Sequence, residues 1–187
     1  MEWLLFTYWL PPEPSRKRVF IWRQLKKIGA LSAEGSGWLL PKTEPLLAAI
    51  TEVMSSVEEL EGTANLYTLT HSNEAQEQRN IAKFRQERER EYSGIIMECH
   101  KALKHIEREY KRHEFSFEEV EELEGDLEKI RRWFSEAKKR DFWGIPTQKE
   151  AESLINEVAI RLADFIQKTY DELQSPPGKS DASLKQE

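Results

Sequence analysis

The chain has 187 residues, a third of them charged and 39% hydrophobic, and it carries a formal net charge of −6. That length accommodates one or two domains with a sizeable core. The acidic balance argues against non-specific polyanion binding by the molecule as a whole, though not against a local basic patch. With Cys99 as the only cysteine, there is no internal disulfide and no thiolate metal site, which fits a reducing cytoplasm.

The opening, MEWLLFTYWLPP, lacks the basic start of a secretory leader, and its apolar run is too short to span a membrane. No membrane partner is expected. Residues 3–10 form a continuous apolar and aromatic run, which reads as a central strand covered on both faces. Pro11, Pro12 and Pro14 then hold the chain extended, and Ser15 is the predicted N-cap of a helix. At 100° per residue, Arg18, Ile21, Trp22, Leu25 and Ile28 share the apolar face. Arg16, Phe20, Arg23 and Lys27 fall on the opposite side, and Gly29 ends the helix. Every Lys or Arg before Arg79, except Lys42, lies in this helix. A stripe of cations is most simply a solvated face. Phe20 among them favours a binding surface. Arg18, on the apolar side, is expected to be paired or snorkelling.

Residues 30–33 and 37–40 flank Glu34-Gly35-Ser36 and read as a hairpin. Thr43 caps a second helix, with Pro45 in its first turn and Leu46, Leu47, Ile50, Val53, Met54 and Val57 as its apolar face. Gly62 breaks it, and residues 63–69 supply a fourth strand. The order β-α-β-β-α-β is the ferredoxin-like plan.

From residue 73 the character changes to long amphipathic helices. The first carries a stripe that includes Ile81, Phe84, Tyr92, Ile95, Cys99, Ile106 and Tyr110. The second starts at a Ser116/Glu119 capping box, and the third at Thr147 with Glu150. Together they predict an antiparallel three-helix bundle. The fold class is therefore α+β: a ferredoxin-like domain over 1–71, a helical bundle over 72–173, and a disordered polar tail over 174–187.

Catalytic motifs are absent: no phosphate-binding Gly loop, no GxSxG, no HExxH. His100 and His105 are five apart and diverge on a helix, so the four histidines read as surface residues and no metal site is assigned. Cys99 lies on the apolar stripe and reads as core. One later stretch stands out, RRWFSEAKKRDFWG. Its Arg131, Arg132, Lys138, Lys139 and Arg140 suit a helix C-terminus. Its Trp133, Phe142 and Trp143 are more aromatic surface than a helix end needs, so they are expected to anchor the turn. Arg140 and Asp141, followed by Phe-Trp-Gly, suit an anion site or a domain contact.

The segment LLFTYWLPPEPSRKRVFIWRQLKKIGA resembles the start of the ChrB-type chromate-resistance regulators. Their pattern there runs from an apolar strand into LPxEPSRxRVxxWRxLKxxGA. Leu10-Pro11, Glu13 to Arg16, Arg18-Val19, Trp22-Arg23, Leu25-Lys26 and Gly29-Ala30 match it in turn. Leu39-Leu40-Pro41 and RRWF…RDFWG also fit. The resemblance extends from Met1 to about Leu173. It implies a cytoplasmic transcriptional regulator, encoded near a chromate efflux transporter, that binds promoter DNA and responds to chromate as an effector, with no cofactor. The DNA contacts would come from Arg16, Lys17, Phe20, Arg23, Lys26 and Lys27. Arg131, Arg132, Lys138, Lys139 and Arg140 would form a second DNA or anion patch.

Full-length members of that family carry a further C-terminal domain, and the present sequence reaches only a Pro/Gly/Ser tail at that point. The expectation is a stand-alone N-terminal homologue, half of a split system whose other half is a separate protein. The βαββαβ start also resembles the middle domain of phenylacetate-type repressors and the small metal-dependent nucleases of CRISPR adaptation. Those relatives tend to dimerise, which implies a homodimer here. The nucleases hold their metal with an Asp at the end of the first strand. Here that strand ends Thr7-Tyr8-Trp9-Leu10, so no nuclease activity is expected. The competing function is an accessory interaction module whose basic residues pair with its own acidic helices.

Overall fold

A computed structural model describes residues 1–33 and 37–174. The expected turn at Glu34-Gly35-Ser36 and the expected tail beyond Gln174 lie outside the described residues. The elements, in order, are β1 (Trp3–Trp9), α1 (Ser15–Lys27), β2 (Leu31–Ser32), β3 (Gly37–Pro41), α2 (Glu44–Glu59), β4 (Thr63–Leu69), α3 (Glu74–Arg112), α4 (Phe117–Lys139) and α5 (Thr147–Gln174). The first six form the ferredoxin-like sheet unit, and the last three supply the three-helix bundle.

The sheet runs β2-β3-β1-β4, every pairing antiparallel. β1 is central because its unbroken apolar sequence tolerates cover on both sides. On one face, Leu4 and Phe6 pack with Ile21 and Leu25 of α1 and with Ile50, Val53 and Val57 of α2. On the other, Trp3 is buried with Leu31, Leu39 and Phe84. Each such side chain contributes about 1.5–3 kcal/mol of burial.

The chain divides into two compact units: residues 1–91 with 136–145, and residues 92–135 with those from 146 on. The long helix α3 therefore serves two cores. Ile81 and Phe84, at the start of its apolar stripe, pack with the sheet. Tyr92, Ile95, Cys99, Ala102 and Ile106, further along, are buried in the helical unit, as are Leu123, Leu127 and Ile130 of α4 and Ile155, Val158, Leu162 and Phe165 of α5.

Phe142 and Trp143 anchor the segment after α4 in the sheet unit. Trp143 stacks on Trp3 at 6.0 Å between ring centroids and lies 5.1 Å from Phe84. Phe142 meets Phe84 edge-on at 6.0 Å. Asp141 fixes the turn itself: its carboxylate accepts from the backbone N–H of Gly144 at 2.9 Å and of Ile145 at 2.8 Å.

Three local expectations need correction. Ser15 is the first residue of α1 and not its cap; Pro14 occupies that position and makes no side-chain cap hydrogen bond. The left-handed residue that ends α2 is Glu61 (φ 65) and not Gly62. Glu61 N–H donates to the Glu58 carbonyl and Gly62 N–H to the Val57 carbonyl, both at 2.9 Å, the paired bonds of a Schellman close. The Ser116/Glu119 box is only half made: Glu119 N–H donates to Ser116 Oγ at 3.2 Å, while the Glu119 carboxylate turns to His105.

Candidate nucleic-acid interface

α1 is set by what happens at both of its ends. β1 delivers the chain to Pro11–Pro14, whose fixed backbone leads into the helix. At the far end Gly29 takes φ +81, a conformation that costs other residues about 1–2 kcal/mol. Ala30 N–H then reaches the Leu25 carbonyl at 2.9 Å and Gly29 N–H the Lys26 carbonyl at 3.1 Å. A Cβ at Gly29 would lie 3.1 Å from Arg140 Cβ and Cγ, so Arg140 occupies the space the glycine leaves.

The buried side of α1 is Lys17, Ile21, Gln24, Leu25 and Ile28. This differs from the expected face, and the reason is polar. Lys17 Nζ donates to the Leu60 carbonyl and to Glu61, each at 3.2 Å. Gln24 Nε2 donates to Ser56 Oγ at 3.4 Å. These contacts with α2 and the turn after it rotate the helix, so Arg18 and Trp22 are exposed and not part of the apolar face. Among the described residues no ion pair engages Arg18; it stands beside Tyr8, Trp9 and Trp38 at the end of β1.

The outward arc of α1 therefore carries Arg16, Arg18, Arg23 and Lys27 together with Val19, Phe20 and Trp22. Phe20 and Trp22 are each 50% exposed. Among the described residues no ion pair engages Arg16, Arg18, Arg23 or Lys27.

The other two cations assigned to this surface are engaged. Lys17 pairs with Glu61 at 3.2 Å. Lys26 Nζ reaches both oxygens of Glu87, at 2.9 and 3.1 Å. Glu87 also meets Arg88, Arg88 meets Glu91 at 2.9 Å, and Glu91 meets Arg140 at 3.1 Å. This chain of ion pairs, Lys26–Glu87–Arg88–Glu91–Arg140, links α1, the first half of α3 and the segment after α4. Arg88 is almost fully buried in it. The sequence reading missed Arg88; the Glu87/Glu91 spacing around it on one helix face is the signal that marks it.

The residues expected to form a second cationic patch are divided between the two units. Arg131 and Arg132 are exposed in the helical unit, whereas residues 138–140 belong to the sheet unit. Lys139 pairs with Glu136 at 2.6 Å, and its hydrogen bond holds the Glu136 carboxyl below the ordinary range. Arg140 is held by Glu91, and Lys138 has partners of its own.

Among the described residues no helix is long and apolar enough to cross a membrane. The fold defines a two-unit α+β protein with a ferredoxin-like sheet unit and a three-helix bundle. Comparison with curated proteins and with solved structures returns no match. The sequence does match one family, described as "Protein ChrB, N-terminal", over residues 18–176. The chain belongs to this ChrB N-terminal family, which is associated with chromate resistance and whose proteins are regulatory rather than catalytic.

Proposed function

We propose that this chain is a transcriptional regulator, or a regulator subunit, of chromate resistance that binds promoter DNA through the outward face of α1. One observation carries the reading: Arg16, Arg23 and Lys27 line that face with Phe20, and among the described residues no ion pair engages them, Lys27 lying only in the wider field of Glu136. The chain has 34 acidic residues against 28 Lys and Arg, so partners are plentiful, and leaving these cations unpaired calls for another anion. Evenly spaced cations on an exposed helix suit phosphate backbone. The phenyl and indole rings among them suit sugar and base surfaces. The reading takes chromate as the effector, a separate protein with the family's C-terminal domain as a partner, and a cytoplasmic homodimer. Its support for these is the family membership and the analogy with dimeric regulators.

A second reading has its own observation. Lys17, Lys26, Lys139 and Arg140 are all paired with carboxylates of the same chain, as an accessory interaction module without nucleic-acid affinity requires. A gel-shift titration on a promoter fragment at several salt concentrations separates the two. For a DNA-binding α1, each of Arg16→Ala, Arg23→Ala and Lys27→Ala weakens binding at any sequence and flattens the log–log salt slope by about one unit. Phe20→Ala weakens binding without changing the slope. If the triple Ala variant binds as tightly as wild type with the same slope, α1 is not the interface and the module reading replaces it.

A further inference from the structure

The helical unit contains a cluster that the regulatory reading does not use. His105 and Glu109 stand one turn apart on α3, and Glu119 faces them from the first turn of α4. His105 Nε2 lies 3.1 Å from Glu119 Oε2 and 3.6 Å from Glu109 Oε1. One ligand atom from each of the three residues falls within 4.8 Å of the others. Around a tetrahedral zinc-class ion, with metal–ligand distances of about 2.0–2.2 Å, neighbouring ligand atoms stand about 3.3–3.6 Å apart. The two shorter separations bracket that range.

Two further observations point to a ligand. Glu109 is 1% exposed; Arg108 holds its Oε1, while its Oε2 makes no hydrogen bond of good geometry, with only the Glu114 side chain nearby. A buried carboxylate oxygen left without a partner is costly, and a cation beside it removes the cost. In addition, Glu119 leaves its capping box unclosed and turns its carboxylate toward His105. The surroundings carry both signs of charge, with Glu114 and Glu122 set against Arg108, Lys104 and Lys129. Glu114 lies beside Glu109, and Arg108, whose Nε donates to Glu109 Oε1 at 2.6 Å, sits in the field of Glu109, Glu119 and Glu122. His105 also borders an open groove of about 410 Å³ with Lys104, Arg108 and Lys129, which gives water and ions access to its ring. The histidine is half-buried, not the surface residue expected from the His100/His105 spacing; the relevant spacing is four, from His105 to Glu109.

The geometry points to a divalent transition-metal site of the zinc class, with His105, Glu109 and Glu119 as its protein ligands. A neutral imidazole and two carboxylates balance a dication, and the groove leaves a coordination position for water. Because its ligands come from two helices, the ion ties α3 to α4 within the helical unit.

The test is Zn²⁺ titration of the chelator-stripped full chain against a chromophoric chelator, with Co²⁺ as a visible-absorbing substitute. The expected result is one ion per chain, a Co²⁺ visible band of four- or five-coordinate character, and loss of at least about tenfold in affinity in His105→Ala and in Glu119→Gln. His100→Ala binds as wild type does. Far-UV circular dichroism checks each variant's fold. If His105→Ala unfolds, the decision rests on Glu119→Gln, which keeps the side-chain shape. Absence of stoichiometric binding, or binding that Glu119→Gln leaves intact, overturns the site.

Discussion

Replacing Gly62 by alanine tests the joint that sets the entry into α1. A Cβ there would lie 2.5 Å from the Trp9 carbonyl oxygen, 2.7 Å from Leu10 Cδ2 and 2.8 Å from Val57 Cγ1. The two side chains can yield by rotating. The carbonyl cannot, because Trp9 is held opposite Thr63 in the β1–β4 pairing. Relief therefore requires the end of β1 to move off the turn that leaves α2, taking Leu10 and the proline segment with it. Overpacking by a methyl costs about 1–3 kcal/mol, and a backbone clash belongs at the upper end. Alanine's reduced unfolded-state entropy returns about 0.4–1 kcal/mol. The net loss is about 2 kcal/mol, or about 4–8 °C in Tm for a chain of this size. Tryptophan fluorescence is the assay, since Trp3, Trp9, Trp22, Trp38 and Trp143 all belong to the sheet unit and only Trp133 to the helical one. A Gly62→Ala variant that melts at the wild-type temperature refutes the reasoning.

Glu61→Gly should act in the opposite direction. It removes a left-handed conformation that costs a non-glycine residue about 1–2 kcal/mol, against about 0.4–1 kcal/mol for glycine's greater unfolded-state entropy and the loss of an exposed ion pair to Lys17, so the sheet unit should melt slightly higher by the same fluorescence assay. Arg140→Ala should lower that Tm, because Arg140 fills the space at Gly29 and holds Glu91; allowing for partial exposure, the loss is about 1–2 kcal/mol. The DNA salt slope of Arg140→Ala should equal that of wild type, and a flattened slope would mean that the residue contacts phosphate. Cys99 should resist thiol reagents in the native protein, since burial pushes its pKa up to about 11. At pH 8 about one thiol in a thousand is ionised, so labelling should be negligible until guanidinium exposes it, and rapid native labelling would contradict its place in the core.

The sheet was legible because each of its signals is local. The apolar run of β1, the Gly29 stop and the Thr43 cap need only neighbouring residues to act, and the Thr43 hydroxyl does accept from Leu46 N–H at 3.4 Å. The rotation of α1 was not legible. Apolar periodicity put Arg18 and Trp22 inside, while the helix is turned by Lys17 and Gln24, whose partners Leu60, Glu61 and Ser56 are distant in sequence. The same holds for Lys26 and Arg140. Their sequence context shows cations, and only the fold brings Glu87 and Glu91 to them. The stripe of α3 illustrates a further limit. A helix packed against a sheet and a helix packed in a bundle need the same apolar period, so nothing in the spacing separates Phe84 from Tyr92, although the two lie in different compact units.

The division between paired and unpaired cations makes the salt slope itself informative. If only Arg16, Arg18, Arg23 and Lys27 grip phosphate, log K should fall by about 3.6 per tenfold rise in salt for each chain bound, at about 0.9 per cation. A slope near 5 would require Lys17 and Lys26 to leave Glu61 and Glu87. For Lys17 the ion pair itself is weak, because Glu61 is largely exposed, but the exchange also breaks the bond to the Leu60 carbonyl. It is harder for Lys26, which meets both oxygens of a Glu87 that also meets Arg88. Glu87→Gln isolates this cation. It releases Lys26 while leaving the outward face of α1 unchanged, so the variant should bind DNA more tightly and steepen the slope by about one unit, with some loss of thermal stability from the broken network. If tightness and slope both stay at wild-type values while the Tm falls, Lys26 serves the fold alone and the interface is confined to the four unpaired cations.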